Sequence, residues 1–340
     1  MVRLGAVGDV VRTLPAVSSL RAGFAGAHLA WLVEPRSAGV LEGQPWIDEV
    51  IVFERPRLVE ALTRGALATA AGELRAFARA LRTRRFDLVV DFHSILRSAV
   101  MVRLSGAPMR VGYARPLGRE LSWLQATHRA RLTPRRLSRF DRNQALVRYL
   151  GVQAPPSPTP FRVDPERLTR TEAGLGPGPR PAAIHPGSSD STAHKRWSPA
   201  AYGRFARALA DARGIRSLVT WGPARGEREI ARAVVDAAAG AARLAPETPR
   251  IPDLAALLAA SRLYVGGDTG PMHVASLVGT PVLQILGSTH PVENAPWDET
   301  PSRTIRAGEA MEARIEPVLA AALELLDETK APSRATSGAP

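Results

Sequence analysis

Residues Val265–Ser276, VGGDTGPMHVAS, gather a carboxylate, a hydroxyl and an imidazole among glycines at one strand-to-helix junction. An apolar strand over Arg262–Val265 runs into Gly-Gly-Asp-Thr-Gly, and the pattern predicts a helix opening at Pro271. Free N–H groups and a partial positive charge make a helix N-terminus a receptor for phosphates. Gly266, Gly267 and Gly270 let a ligand approach the backbone, and Asp268, Thr269 and His273 stand at the same mouth. The plainer reading is an ordinary helix start in which Asp268 or Thr269 is an N-cap.

Three further segments carry chemistry. His185-Pro-Gly is followed by Ser188 and Ser189, then by Lys195-Arg196-Trp197 ahead of Ser198-Pro199, a good N-cap and N1 pair. A basic pair beside a Gly/Ser loop suits a diphosphate whose charge grows as it departs; a solvated basic loop is the alternative. Trp221-Gly-Pro ends another strand, and Glu227 and Glu229 follow. A carboxylate there would accept hydrogen bonds from a sugar, or simply favour a helix dipole. Near the start, Val2–Leu4 leads into Gly5-Ala-Val-Gly8-Asp9. A loop-borne carboxylate at a strand's carboxyl end suits a general base, unless Asp9 only caps the next helix.

The elements that would position these residues alternate. Strand-like runs over Leu29–Val33, Val50–Phe53, Leu88–Asp91, Ala182–His185, Ser217–Trp221, Leu263–Val265 and Val282–Leu286 are separated by helical patterns at Thr13–Ala22, Gly72–Leu81, Pro199–Ala212, Glu227–Ala239 and Asp253–Ala260. This order predicts an α/β protein with parallel sheets. The 340-residue length suggests two domains: an N-terminal Rossmann-like domain over 1–155, a Pro/Gly-rich linker over 156–180 and a C-terminal Rossmann-like domain over 181–310. A helix over 311–328 is expected to pack back on the N-terminal domain, and the tail over 329–340 to be disordered. Ligands of such proteins bind at the carboxyl ends of the strands, so the active site is expected between the domains.

Composition narrows the class. Without cysteine there is no disulfide or thiol chemistry. No apolar run is long enough to span a membrane, and Asp9 interrupts any signal-like stretch, so a cytoplasmic enzyme is expected. The net charge of +13 favours anionic partners. Nucleic acid is not among those expected, because aromatics are only 5% of the chain and no nucleic-acid-binding signature appears. Only Lys195 and Lys330 are lysines among 45 basic residues, which singles out Lys195 as a compact point charge.

The segments GAVGDVVRTLPAVSSLR, WLVEPRSAGVLEGQPWIDEVIVF, FDLVVDFHSILRSAVMVRLSGAPMRVGY, HPGSSDSTAHKRW and VGGDTGPMHVASLVGTPVLQILGSTHP together resemble the bacterial heptosyltransferases, glycosyltransferase family nine. The resemblance runs from Arg3 to about Pro296. It implies a GT-B fold, two Rossmann-like α/β domains facing across a cleft. It also implies inverting, metal-free transfer of a heptose from ADP-heptose onto a lipopolysaccharide inner core, without a cofactor. By the same resemblance Asp9 would deprotonate the acceptor hydroxyl and Lys195 would hold the pyrophosphate. Ser188, Ser189, Glu227, Asp268, Thr269, Gly270 and His273 would line the nucleotide-sugar site. The absence of any Asp-x-Asp triplet agrees with metal-free chemistry.

Two features depart from the family's pattern: the first strand is short, and His93-Ser94 stands where Gln-Gly is common. The basic cluster Arg129, Arg131, Arg135, Arg136, Arg139 and Arg142 would meet phosphates of a lipid-linked acceptor or the anionic inner leaflet; the bland reading is a solvated arginine face. Two other functions stay open: a GT-B enzyme for another nucleotide sugar or acceptor, and a non-catalytic nucleotide-sugar-binding relative.

Overall fold

The computed structural model describes residues 1–133, 137–187, 197–287, 290–306 and 314–329. The chain divides into two compact units, Met1–Pro160 and Phe161–Pro340.

In the first unit β1 (Ala30–Val33) pairs in parallel with β2 (Glu49–Val52), and β3 (Leu88–Val90) with β4 (Met109–Tyr113) and then β5 (His128–Ala130). The N-terminal residues join the two ladders. Val2 bridges Leu32 on one side and Asp91 on the other, both in parallel, with Val2 N–H donating to Val90 O at 2.8 Å and Phe92 N–H to Val2 O at 3.1 Å. The short Val2–Leu4 segment is therefore the central, if ragged, strand of this sheet. Parallel strands need crossover helices on the faces, here α1 (Val7–Val11), α2 (Leu14–Gly23), α3 (Pro35–Ala38), α4 (Arg55–Thr63), α5 (Leu67–Thr83), α6 (Leu96–Leu104) and α7 (Arg139–Tyr149). The core between sheet and helices holds Val2, Leu4, Leu32, Ile51, Leu81, Val89, Met101 and Val102.

The second unit is one six-stranded parallel sheet: β6 (Ala182–His185), β7 (Ser217–Val219), β8 (Ala242–Leu244), β9 (Leu263–Gly266), β10 (Val282–Leu286) and β11 (Ser302–Arg306), in the order β11-β10-β9-β6-β7-β8. Its helices are α8 (Pro165–Leu175), α9 (Pro199–Arg213), α10 (Glu227–Ala237), α11 (Ile251–Ala259), α12 (Gly270–Leu277) and α13 (Glu316–Glu328).

Two expectations are corrected. The C-terminal helix was expected on the N-terminal domain, but α13 sinks Val318, Ala322, Leu325 and Leu326 into the second unit's own core beside Leu209 and Leu283. An apolar stripe packs wherever its crossover lands, and here β11 delivers it to the face that carries α9. The Pro/Gly-rich stretch expected to be linker contains α8. Asp164 caps this helix, accepting from Arg167 N–H at 2.7 Å, with Pro165 in the first turn. Strands β4, β5, β8 and β11 escape the sequence pattern. The last three are edge strands with few apolar residues, SRTIR in β11 for example, and an edge needs little hydrophobic signal.

Candidate functional site

Each sheet has a point where successive connections leave in opposite directions, and α/β proteins bind ligands at the carboxyl ends of the strands there. In the first unit that point is the central N-terminal strand, between β1 and β3. Its carboxyl end leads to Asp9, and the carboxyl end of β3 leads to His93.

Asp9 is held by three guanidiniums. Arg3 forms an ion pair with Oδ2, while Arg12 and Arg139 reach Oδ1 at 2.6 and 2.7 Å. Arg3 also donates to Phe92 O at 2.8 Å, and Arg12 to Gly8 O at 3.2 Å. The Asp9 side chain is 17% exposed. Burial alone pushes its carboxyl up, but the charges of Arg3, Arg12 and Arg139, with the Arg139 hydrogen bond, outweigh burial and hold it well below the usual carboxylate range. Asp9 is thus a fixed anion at any working pH. It is also not merely a helix cap: α1 starts after Ala6, and Asp9 lies inside its first turn. The α7 helix that brings Arg139 is anchored by Asn143, which donates to Arg12 O and Thr13 Oγ1 at 3.1 Å and accepts from Tyr113 OH at 3.1 Å.

This arrangement revises the basic cluster read from the sequence. Arg139 belongs to the Asp9 network, and Arg142 lies half-buried over the Tyr113 ring at 6.0 Å. The cluster is therefore not one solvated face. Arg135 and Arg136 lie outside the described residues.

The loop after β3 is pinned from below. Asp91 Oδ1 accepts from the backbone N–H of His93 at 3.0 Å and of Ser94 at 2.9 Å, and Oδ2 from Ser98 Oγ at 2.9 Å. Burial raises the Asp91 carboxyl to about 6 despite these donors.

In the second unit the reversal falls at β6, from which β7 and β8 run one way and β9, β10 and β11 the other. The carboxyl ends of β9, β6 and β7 lie side by side at this point, and the segments that follow them are the three picked out by sequence. Thr269 is the N-cap of α12, but its side chain makes no capping bond; its hydroxyl lies 3.4 Å from Tyr264 OH. The helix N-terminus, with Gly270 as its first residue, therefore has backbone donors that no threonine side chain covers. Asp268 lies beside it, its Oδ1 3.5 Å from His273 Nε2, and His273 is buried. Glu227 opens α10 and folds back, its Oε2 accepting from Gly222 N–H at 2.6 Å. A Cβ at position 222 would lie 2.5 Å from that oxygen and push the carboxylate aside, and one at position 187 would lie 3.1 Å from the Glu227 carboxyl carbon. Asp268, Thr269, Gly270, His273 and Glu227 thus share one end of one sheet. Ser188, Ser189 and Lys195 lie outside the described residues. Just after them Trp197 is buried against Tyr202, ring centroids 5.0 Å apart, and Ser198 caps α9 by accepting from Ala201 N–H at 3.1 Å.

Sequence reasoning missed Arg3, Arg12 and Arg139 as partners of Asp9. Only Arg12, three residues on, had a local signal; Arg139 is 130 positions away.

No helix of the described residues is long and apolar enough to cross a membrane, and among them no group of three or more His, Asp or Glu side chains is placed to hold a metal ion.

Comparison with known proteins agrees with this architecture. Lipopolysaccharide heptosyltransferase 1 of Pseudomonas aeruginosa is 28% identical over 295 residues, covering 86% of this chain and 79% of that protein. Lipopolysaccharide heptosyltransferase 3 of Escherichia coli is 25% identical over 302 residues, covering 85% and 83%. Among solved structures, the E. coli ADP-heptose lps heptosyltransferase II superposes with a TM-score of 0.76 at 20% identity, covering 97% of this chain and 98% of that one. The E. coli heptosyltransferase WaaC with ADP-2-deoxy-2-fluoro heptose gives 0.75 at 22% identity, covering 96% and 98%. The fold is GT-B. The profile of glycosyltransferase family 9 (heptosyltransferase) matches residues 74–314; the chain belongs to this family and is a glycosyltransferase.

Proposed function

We propose that the protein moves a heptose from ADP-heptose to a hydroxyl of the lipopolysaccharide inner core, in one inverting displacement without a metal ion. The acceptor oxygen attacks the anomeric carbon as the bond to the pyrophosphate breaks. The hydroxyl proton passes to Asp9, and the leaving electron pair stays on ADP. A carboxylate held so far below its usual range is a weak base toward a free alcohol. It suffices here, because the attacking hydroxyl becomes strongly acidic once its bond to carbon has formed, and the three arginines keep Asp9 ionised and aimed.

The observation that carries the donor assignment is the α12 N-terminus, uncapped by Thr269, beside Asp268 and His273 at the reversal of the second sheet. Thr269 and Gly270 meet the phosphates, Asp268 the sugar, and Glu227 a ribose or sugar hydroxyl. Ser188 and Ser189 complete the nucleotide-sugar site. Lys195 stabilises the departing ADP, so Lys195→Ala is expected to weaken ADP-heptose binding and lower kcat/KM by about 10²-fold or more in steady-state kinetics. Gly222→Ala displaces the Glu227 carboxylate; a roughly fivefold weaker Kd for ADP-heptose by calorimetry is the expected result, the worth of one hydrogen bond.

We place the reaction in the cytoplasm, at the inner face of the membrane that holds the lipid-linked acceptor. Supporting this, the first unit exposes Leu96, Leu121 and Leu124 at 53%, 56% and 58%, with Arg115 stacked 4.8 Å over Trp123 in the same loop. The backbone N–H of Leu96 donates to Glu120, tying this loop to α6. Apolar side chains among arginines suit an anionic lipid surface. Leu121→Ser with Leu124→Ser should cut sedimentation with anionic vesicles severalfold; unchanged sedimentation would remove the patch from the membrane reading.

The proposed reaction is tested by incubating ADP-heptose with heptose-free lipopolysaccharide and following ADP release and the anomeric configuration of the product by NMR. ADP release with a retained anomeric configuration would refute single displacement.

A further inference from the structure

His93 has no task yet. It follows β3, the strand beside the central one, so its loop and the Asp9 loop leave the same reversal point of the first sheet. Arg3 links them directly, donating one guanidinium nitrogen to the carbonyl of Phe92 and pairing another with Asp9.

The loop holds His93 by its backbone alone. Asp91 takes both N–H groups at the turn. Ser94 sits in the left-handed region at φ 50°, a cost that a non-glycine residue sustains only where surroundings impose it. They do: Ser94 O accepts from Arg119 N–H at 3.0 Å, and Ser94 Oγ donates to Asp91 O at 2.9 Å and accepts from Tyr113 N–H at 3.3 Å. The imidazole is left over. Its Nδ1 is buried and has no hydrogen-bond partner among the described residues, and a buried polar atom without a partner calls for an explanation.

The surroundings fix its protonation. Burial, then the positive charges of Arg3 and Arg97, push the imidazole down to about 3, with Arg119 adding to the effect and Asp9 only partly opposing it. The ring is neutral at any working pH, and a neutral imidazole has one nitrogen that accepts. The nearby guanidiniums are donors and could pair with it, yet none of them bonds Nδ1, so the ring's accepting nitrogen is left for a donor from outside the protein.

We propose that His93 is a positioning residue for the acceptor, its neutral imidazole accepting a hydrogen bond from a sugar hydroxyl and so setting the reacting hydroxyl against Asp9. The proposal rests on the glycosyltransferase reading above for the identity of the acceptor. It makes His93 a determinant of acceptor choice and leaves the donor to the second unit.

The test measures binding of heptose-free lipopolysaccharide, in micelles and without donor, to the parent protein, His93→Phe and His93→Gln. ADP-heptose is titrated separately into the same three proteins. The phenyl ring keeps the bulk without the acceptor atom, and the glutamine amide restores one. Expected are a Kd for the lipopolysaccharide raised about five- to tenfold in His93→Phe, recovery to within about twofold in His93→Gln, and equal ADP-heptose affinity in all three. Equal lipopolysaccharide affinity in parent and His93→Phe overturns the proposal, while retained ADP-heptose binding leaves the enzymatic reading standing. A parent that does not bind the lipopolysaccharide overturns the positioning role too, and its ADP-heptose titration then decides whether the donor half survives. A parallel loss of both affinities together with a lowered Tm would mark His93 as structural and also overturn it.

Discussion

Asp9→Asn is expected to lower kcat by about 10²–10⁴-fold, the range for removing a general base, and to leave the Kd for ADP-heptose within about twofold of the parent. The amide keeps the shape and one acceptor oxygen but cannot take the hydroxyl proton. The same change leaves Arg3 and Arg12, at 10% and 8% side-chain exposure, without their anion. Breaking such a pair from one side costs about 3 kcal/mol, so stability and turnover fall together, and the donor titration separates them. A pH profile adds a second check. Because the folded carboxyl sits below its ordinary value of 3.8, its contribution to stability is complete above about pH 4 and is lost only as pH falls further. Rate should show no acid limb from Asp9 in the range where an ordinary carboxylate titrates. A limb at pH 4–5 that vanishes in Asp9→Asn would contradict the salt-bridged assignment.

Trp197→Ala carries the largest expected loss of stability. The indole is 1% exposed, meets Tyr202 edge-on at 5.0 Å and Phe205 at 6.4 Å, and sits in the core with Ile184 and Leu209. Emptying that volume costs about 3–5 kcal/mol, roughly a 10 °C fall in Tm for a unit of this size by differential scanning calorimetry. Trp197→Phe, which refills part of the site, should recover about half. Trp197 also fixes the chain two residues after Lys195, so ADP-heptose affinity should fall in the alanine variant even at temperatures where it remains folded. Unchanged donor affinity in a folded Trp197→Ala protein would separate this anchor from the pyrophosphate contact.

Legibility followed the range of the interactions. The Asp268–His273 loop, Glu227 and Asp9 were readable because glycines at strand ends announce a turn where a ligand can approach, and these signals lie within a few residues of one another. The α9 start was readable for the same reason, Ser198 and Pro199 being adjacent. The α8 helix carried an equally local cap at Asp164, but the surrounding Pro and Gly outweighed it in a composition-based reading. The α13 helix showed its apolar stripe and not its destination, because one stripe fits many cores. The Asp9 network was hidden, since Arg139 reaches it from 130 residues away through an α7 helix set by Asn143. His93 was visible only as a departure from a family pattern; its neutral ring depends on burial and on Arg3, Arg97 and Arg119, whose convergence no linear spacing encodes.

Calorimetric titration of the purified protein with ADP-heptose, with UDP-glucose and GDP-mannose as comparisons, tests the central claim most directly. Saturable binding of ADP-heptose, at least tenfold tighter than either comparison and weakened in Lys195→Ala but not in Asp9→Asn, is the predicted result. Preference for UDP-glucose or GDP-mannose, or no binding of any of the three, would contradict it.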